Sequence, residues 1–180
     1  MKLDVLKKDG TKSGESVTLA PEIFEIAPND HAIYMAVRSY MANQRQGTSR
    51  SPIQIGGGTI FGPHPHDYVV KLPAKVKKLA RKSVLSYKAK EANIVVVEDF
   101  SFEAPKTKDM ETVLKALRVQ GKKVLFLVPK HDSNILKSGR NIPRLQILEA
   151  AKASTYEIAD SAVLVLQKSS VDIVEKTFAN

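Results

Sequence analysis

Apolar residues follow two different rhythms along the chain. In the first half they are sparse and periodic. Residues 2–8 (KLDVLKK) alternate and predict a strand. Asp9-Gly10 offers a turn, and Ser16 to Leu19 a short return strand. Pro28-Asn29-Asp30 opens a helix with Asn29 or Asp30 as its N-cap. Ile33, Val37, Tyr40 and Met41 give that helix an apolar stripe, and it runs out near Arg45-Gln46-Gly47. From Gly47 to Leu72 periodicity vanishes and glycine, proline, serine and histidine dominate. A segment this long without elements tends to be functional or disordered. Helical spacing resumes after Pro73, a suitable first-turn residue. Val76, Leu79, Ala80, Val84 and Tyr87 form its stripe. Lys75, Lys77, Lys78, Arg81 and Lys82 fall largely off the stripe, so the helix is expected to dock one face and present its cations outward.

In the second half the apolar residues come in continuous runs, at 94–97 (IVVV), 124–128 (VLFLV), 145–148 (LQIL) and 162–167 (AVLVLQ). Runs without alternation predict strands covered on both faces. A helix between the first two has Thr107 as its expected cap, Met110, Val113, Leu114 and Leu117 as its stripe, and Gly121 as its stop. A short helix is expected over His131 to Lys137, ended by Gly139, and a short turn over Thr155 to Ala159. A last helix is expected over Val171 to Phe178, capped by Ser169 or Ser170. Strand and helix alternating in this way predict an α/β chain. The expected architecture is a three-layer Rossmann-like fold with a mainly parallel central sheet and helices on both faces. There is no internal repeat.

Composition adds one asymmetry. The 180 residues carry a net charge of +9. Between Arg38 and Lys90 stand eleven Lys or Arg and one acid, Asp67, while the remainder holds seventeen basic and eighteen acidic residues. The whole excess therefore lies in one contiguous third. A charge segregated in this way points to a polyanionic partner; a solvated lysine-rich helix face is the alternative. The absence of cysteine excludes disulfides and thiolate metal sites. No apolar run has the length of a signal peptide core or a membrane span, so a soluble intracellular protein with no membrane partner is expected.

Few stretches have the makings of a chemical site. Residues 50–65 (RSPIQIGGGTIFGPHP) are glycine-rich, and such loops let backbone N–H groups approach phosphate. Neither phosphate-binding fingerprint is present: Pro63 and His64 follow Gly62 where a P-loop needs Lys and Ser or Thr. Backbone approach to a polynucleotide, helped by Arg45 and Arg50, and a flexible turn region around Pro52 and Pro63 remain. His64, His66 and Asp67 have metal-ligand character, but the other histidines, His31 and His131, lie in separate elements, and no metal or other cofactor is expected. Glu98 and Asp99 follow the strand at 94–97, where open α/β sheets gather ligands. They suggest either a small nucleotide-dependent enzyme or a strand-end pair facing water or the cations of Lys106 and Lys108. Aromatic residues make up only 6%, too few for a platform that stacks single-stranded bases. Backbone and shape recognition of folded RNA fits better.

Six or more short motifs, in order, carry a family resemblance. Arg45-Gln46-Gly47-Thr48, Arg50-Ser51-Pro52-Ile53, Gly56-Gly57-Gly58 and Phe61-Gly62-Pro63 resemble the bacterial form of large-subunit ribosomal protein L-four. So do the basic stretch 72–86 (LPAKVKKLARKSVLS), Glu103 to Lys108, Arg140-Asn141-Ile142-Pro143, and the closing strand and helix over 162–178. The family carries a long Gly/Arg/Lys-rich extension between RQGT and SRSP. Here Ser49 follows Thr48 at once and the chain has no tryptophan, as after a clean excision. The resemblance implies a non-catalytic constituent of the large ribosomal subunit, located in the cytoplasm on the ribosome. It would bind rRNA early in assembly, touch neighbouring ribosomal proteins, and be a monomer when free. It implies one domain over 1–180, with 46–72 as the root of the arm that lines the peptide exit tunnel. The candidate RNA contacts are Arg45, Thr48, Arg50, Ser51, Gly56, Gly57, Gly58, His64, Lys71, Lys75, Lys77, Lys78, Arg81 and Lys82. A regulator that binds RNA away from the ribosome is a further alternative.

Overall fold

The structure, a computed structural model, describes residues 1–47 and 64–179. β1 (Lys2–Leu6) and β2 (Lys12–Thr18) form an antiparallel hairpin whose register pairs Lys2 with Thr18 and Leu6 with Lys12. Gly10, at φ +73°, makes the turn. The return strand begins earlier than its alternation suggests. It is an edge strand, mostly exposed, and is held by backbone pairing rather than by a buried face. One turn of helix, α1 (Pro21–Phe24), buries Ile23 and Phe24 and had no periodic signal at four residues.

α2 (Asp30–Gln44) is capped by Asn29, whose side chain accepts from the Ala32 N–H at 2.9 Å. α3 (Ala74–Lys90) packs beside it. Both helices are rotated from the expected stripes. α2 buries Ala32, Ala36 and Ser39 while Met41 is exposed; α3 buries Ala80 and Ser83 to Ser86, while Leu79 and Tyr87 reach solvent. The small residues decide this: Ala32, Ala36 and Ala80 form their own packed cluster, letting the two helices approach closely. Ser83 supports the seam by accepting from the Asn29 N–H at 3.1 Å.

β3 (Ile94–Val97), α4 (Thr107–Ala116), β4 (Val124–Val128), α5 (Ser133–Gly139), β5 (Leu145–Glu149), α6 (Thr155–Asp160), β6 (Val163–Gln167) and α7 (Lys168–Ala179) complete the chain. The sheet order is β2-β1-β3-β6-β4-β5, parallel except for the hairpin. The β3, β4 and β6 runs divide between two layers, as continuous apolar strands must. Ile94, Val96, Leu125, Leu127, Leu164 and Leu166 pack under α1, α3, α6 and α7. Val97, Val124, Phe126, Val128, Val163 and Val165 pack under α4 and α5. The expected three-layer α/β fold is therefore the observed one.

Helix ends differ from expectation in four places. Thr107 is the first helical residue of α4 rather than its cap, and Lys106 in the cap position makes no side-chain bond. α4 ends at Ala116, before Gly121, because Arg118 already takes the left-handed conformation at φ +58°. α5 starts after Asp132, which accepts from the N–H groups of Asn134 and Ile135 at 2.8 and 3.3 Å. α7 begins before Ser169 and Ser170, so neither serine is its cap. Ser170 instead donates its buried hydroxyl to the Leu127 carbonyl at 2.9 Å.

Candidate nucleic-acid interface

The C-terminal end of α2 and the segment 64–72 form a stem. Ser39 Oγ donates to the Val70 carbonyl at 2.7 Å, and the Val70 N–H donates to Asn43 Oδ1 at 2.9 Å. At the far end the His66 N–H donates to the Gly47 carbonyl at 3.0 Å. Glycine is required there: a Cβ on residue 47 would sit 1.5 Å from the His66 carbonyl oxygen. The Arg45 guanidinium lies 4.2 Å from the Tyr68 ring centroid, which orients it across the stem. His64, Arg45 and Lys71 are exposed. Thr48, Arg50, Ser51 and Gly56 to Gly58 lie outside the described residues.

α3 leaves the stem with Lys75, Lys77 and Lys78 exposed. Arg81 and Lys82 are placed otherwise. Because the helix turns its small residues inward, Arg81 is half-buried and its Nη2 donates to the Ala150 carbonyl at 2.9 Å. Burial draws its pKa below the ordinary value, against the opposing pull of the Glu157 carboxylate. Phe178 lies beneath both cations, at 5.4 Å from Arg81 and 5.6 Å from Lys82. Lys77, Lys78 and Arg81 line a groove of about 330 Å³ between α2, α3, α6 and α7. Its other walls include Asn43, Thr177, and the stacked rings of Tyr40 and Tyr156, 4.8 Å apart.

Among the described residues the lysine–carboxylate pairs all fall outside this region, although other cations there, such as Lys122, Lys130 and Arg140, are also unpaired; what sets the region apart is its near lack of acids. Lys12, Lys115, Lys123, Lys152 and Lys168 each hold a carboxylate within 3.0 Å. Among the described residues, Arg38, Arg45, Lys71, Lys75, Lys77 and Lys78 hold none within 4.0 Å. Charges that are neither compensated nor buried remain available to an external anion.

The acids at the strand ends serve the fold. Asp99 Oδ1 accepts the Ser169 N–H at 3.0 Å, and its other oxygen accepts the Ser169 hydroxyl, so it satisfies the first turn of α7. Asp132 caps α5 and accepts the Ser101 hydroxyl at 2.5 Å. That hydroxyl above all, with the two backbone amides and His131, holds the Asp132 pKa below its ordinary value against partial burial. Among the described residues no group of three or more His, Asp or Glu side chains is arranged to hold a metal, and no helix is long and apolar enough to cross a membrane.

Residues 45–177 match the Ribosomal protein L4/L1 family. The chain belongs to that family. Similar proteins called large ribosomal subunit protein uL4 occur in Chloroherpeton thalassium, at 48% identity over 206 aligned positions covering 98% of each chain, and in Parabacteroides distasonis, at 44% identity covering 99% of each. That of Chlorobium phaeobacteroides strain BS1 is 44% identical, covering 98% of this chain and 99% of its own. Family membership makes the protein a structural ribosomal constituent rather than an enzyme, associated with the ribosome in the cytoplasm. Since 98% of 180 residues is about 176, about 30 of the 206 positions aligned with the Chloroherpeton protein have no counterpart in this chain. The groove beside α3 is also walled by Tyr156 and Thr177, which sequence reasoning missed. They reach Lys77 from about eighty and a hundred residues away in sequence, and nothing local to either marks it.

Proposed function

We propose that this protein binds large-subunit rRNA through the segment 46–72 and the N-terminal half of α3. The single observation that carries this is the row of exposed cations on those two elements, in a stretch with eleven Lys or Arg and one acid between Arg38 and Lys90, beside a body whose charges nearly cancel. Phosphates of a folded RNA would take the place of the missing carboxylates, and release of their counterions would drive association. Arg45, Lys71, Lys75, Lys77 and Lys78 are free to act so. Arg81 acts from the groove wall, where it is also tied to Ala150, and Lys82 from beside Phe178. Residues 46–72 are the root of the family's extended arm within one domain spanning 1–180. The glycines at 56–58 belong to that root, where a backbone without side chains can lie against phosphate. Docking of the domain on rRNA assists early subunit assembly, and the full arm, present in relatives, lines the peptide exit tunnel. Free of the ribosome the protein is a monomer and has no membrane partner.

The test replaces Lys75, Lys77 and Lys78 together by glutamate and measures binding to large-subunit rRNA fragments across a salt series. Each phosphate that is no longer neutralised should reduce the salt slope by about 0.9 log units for duplex nucleic acid. Arg81 is left intact, because its replacement would disturb the fold as well. An unchanged slope and affinity would refute the assignment. Inserting a relative's extra segment between Thr48 and Ser49 should raise both affinity and slope; equality with the present chain would remove the arm from RNA binding. Co-sedimentation with large subunits separates a ribosomal role from a regulator acting elsewhere.

A further inference from the structure

One face of α2 is exposed among the described residues and leads into the stem at Arg45, the residue that caps the C-terminal end of the helix. His31, Tyr34, Arg38, Met41 and Arg45 recur at intervals of three, four, three and four, and all five are exposed. On a helix of about 3.6 residues per turn the first four fall within roughly 80° of arc, and Arg45 follows at the C-cap. That stripe lies almost diametrically opposite Ala32, Ala36 and Ser39, which face α3. Tyr34 and Met41 are 59% and 57% exposed, the second and third most exposed large apolar side chains among the described residues. An isolated exposed apolar residue needs no explanation, but two in line with two arginines and no acid form a pattern.

We infer that this stripe is a second RNA contact surface, and that its occupant is the shallow minor-groove side of an rRNA duplex. The inference rests on the RNA-binding function proposed for the stem and α3, and extends it to a face of α2. Charge complementarity argues for the occupant. Neither Arg38 nor Arg45 has a carboxylate within 4.0 Å among the described residues, and the acid of this helix, Asp30, stands at its N-terminal end, engaged by the Tyr87 hydroxyl at 2.6 Å. The stripe also runs into the stem at Arg45, so one surface continues from it toward Lys71. A helix that docks on protein would show an unbroken apolar seam, whereas here arginines interrupt it every second turn. The A-form minor groove is wide and shallow, with 2′-hydroxyls and ribose faces between two phosphate rows. Flat or flexible side chains such as Tyr34 and Met41 suit the riboses, and guanidinium forks suit the phosphates.

The experiment compares the unaltered full chain with Arg38→Ala, Arg38→Lys and the double variant Tyr34→Ala/Met41→Ala. Binding to large-subunit rRNA fragments is followed by fluorescence anisotropy across a salt series. Thermal midpoints within about 2 °C of the parent establish intact folds, as expected for exposed positions. Arg38→Ala should reduce the salt slope by about 0.9 for duplex nucleic acid, and Arg38→Lys should restore it. The Tyr34/Met41 variant should lose affinity about tenfold with the slope unchanged, because it removes apolar contact and no charge. If the unaltered chain binds RNA with a steep slope and both sets match it, the stripe is not an RNA surface, while the stem and α3 keep their role. If the unaltered chain binds no fragment, RNA binding as a whole fails. If sedimentation shows a dimer that the Tyr34/Met41 variant abolishes, the occupant is a second copy and the inference is overturned.

Discussion

Asp99 stands where an α/β enzyme would place a catalytic acid, yet its two oxygens are both turned to Ser169 at the start of α7. Replacing it with alanine removes one backbone bond at 3.0 Å, one hydroxyl bond, and a negative charge at a helix N-terminus. Loss of a side-chain acceptor at a helix start costs about 0.5–2 kcal/mol, and the dipole interaction about 0.3–1 kcal/mol. Asp99 is exposed, so water can partly replace it. The low half of each range applies, giving about 1–1.5 kcal/mol. For a chain of this size each kcal/mol moves the thermal midpoint by about 2–4 °C. Asp99→Ala should therefore melt about 2–6 °C below the parent, and Asp99→Asn, which keeps a neutral acceptor, should lose about half as much. Differential scanning calorimetry at pH 7 measures the shift, with rRNA affinity recorded in parallel and expected to stay constant. A midpoint within about 1 °C of the parent would show that the contact with Ser169 does not support α7. A tenfold loss of RNA affinity at an unchanged midpoint would move Asp99 from the fold to the interface.

Other substitutions probe the stem and α5. Gly47→Ala should break the stem, since its Cβ would overlap the His66 carbonyl; the His66 amide should lose hydrogen-exchange protection while the body's melting point holds, and retained protection would refute the close approach. Asp132→Asn should be less stable than the parent at neutral pH. The carboxylate's depressed pKa makes its contribution present above the ordinary value of 3.8 and lost as pH falls through the folded value, so the two stability curves should converge on acidification. A gap that stays constant in urea melts from neutral pH down to about pH 3 would show that the Ser101 and backbone bonds do not favour the ionised form. The charge-reversed α3 variant should keep its melting temperature while losing RNA, because Lys75, Lys77 and Lys78 contact no acid among the described residues.

The sequence by itself determined which segments become strands, because runs such as VLFLV can satisfy their apolar side chains only by burial on both faces. It also determined the charge segregation and the family, through motifs that are local and read in order. Only the tertiary structure decided the strand order, with β6 between β3 and β4, since unpatterned apolar runs say nothing about their neighbours. The rotation of α2 and α3 was decided there too. Hydrophobicity favours burying Met41, Leu79 and Tyr87, but close packing of Ala32, Ala36 and Ala80 prevails, because small residues let two backbones approach and larger ones hold them apart. The same rotation draws Arg81 inward to Ala150 and leaves Tyr34 and Arg38 in solvent. Asp99 meets Ser169 across seventy residues of chain. Interactions of that range depend on where the sheet brings two segments together, and no spacing within either segment encodes it.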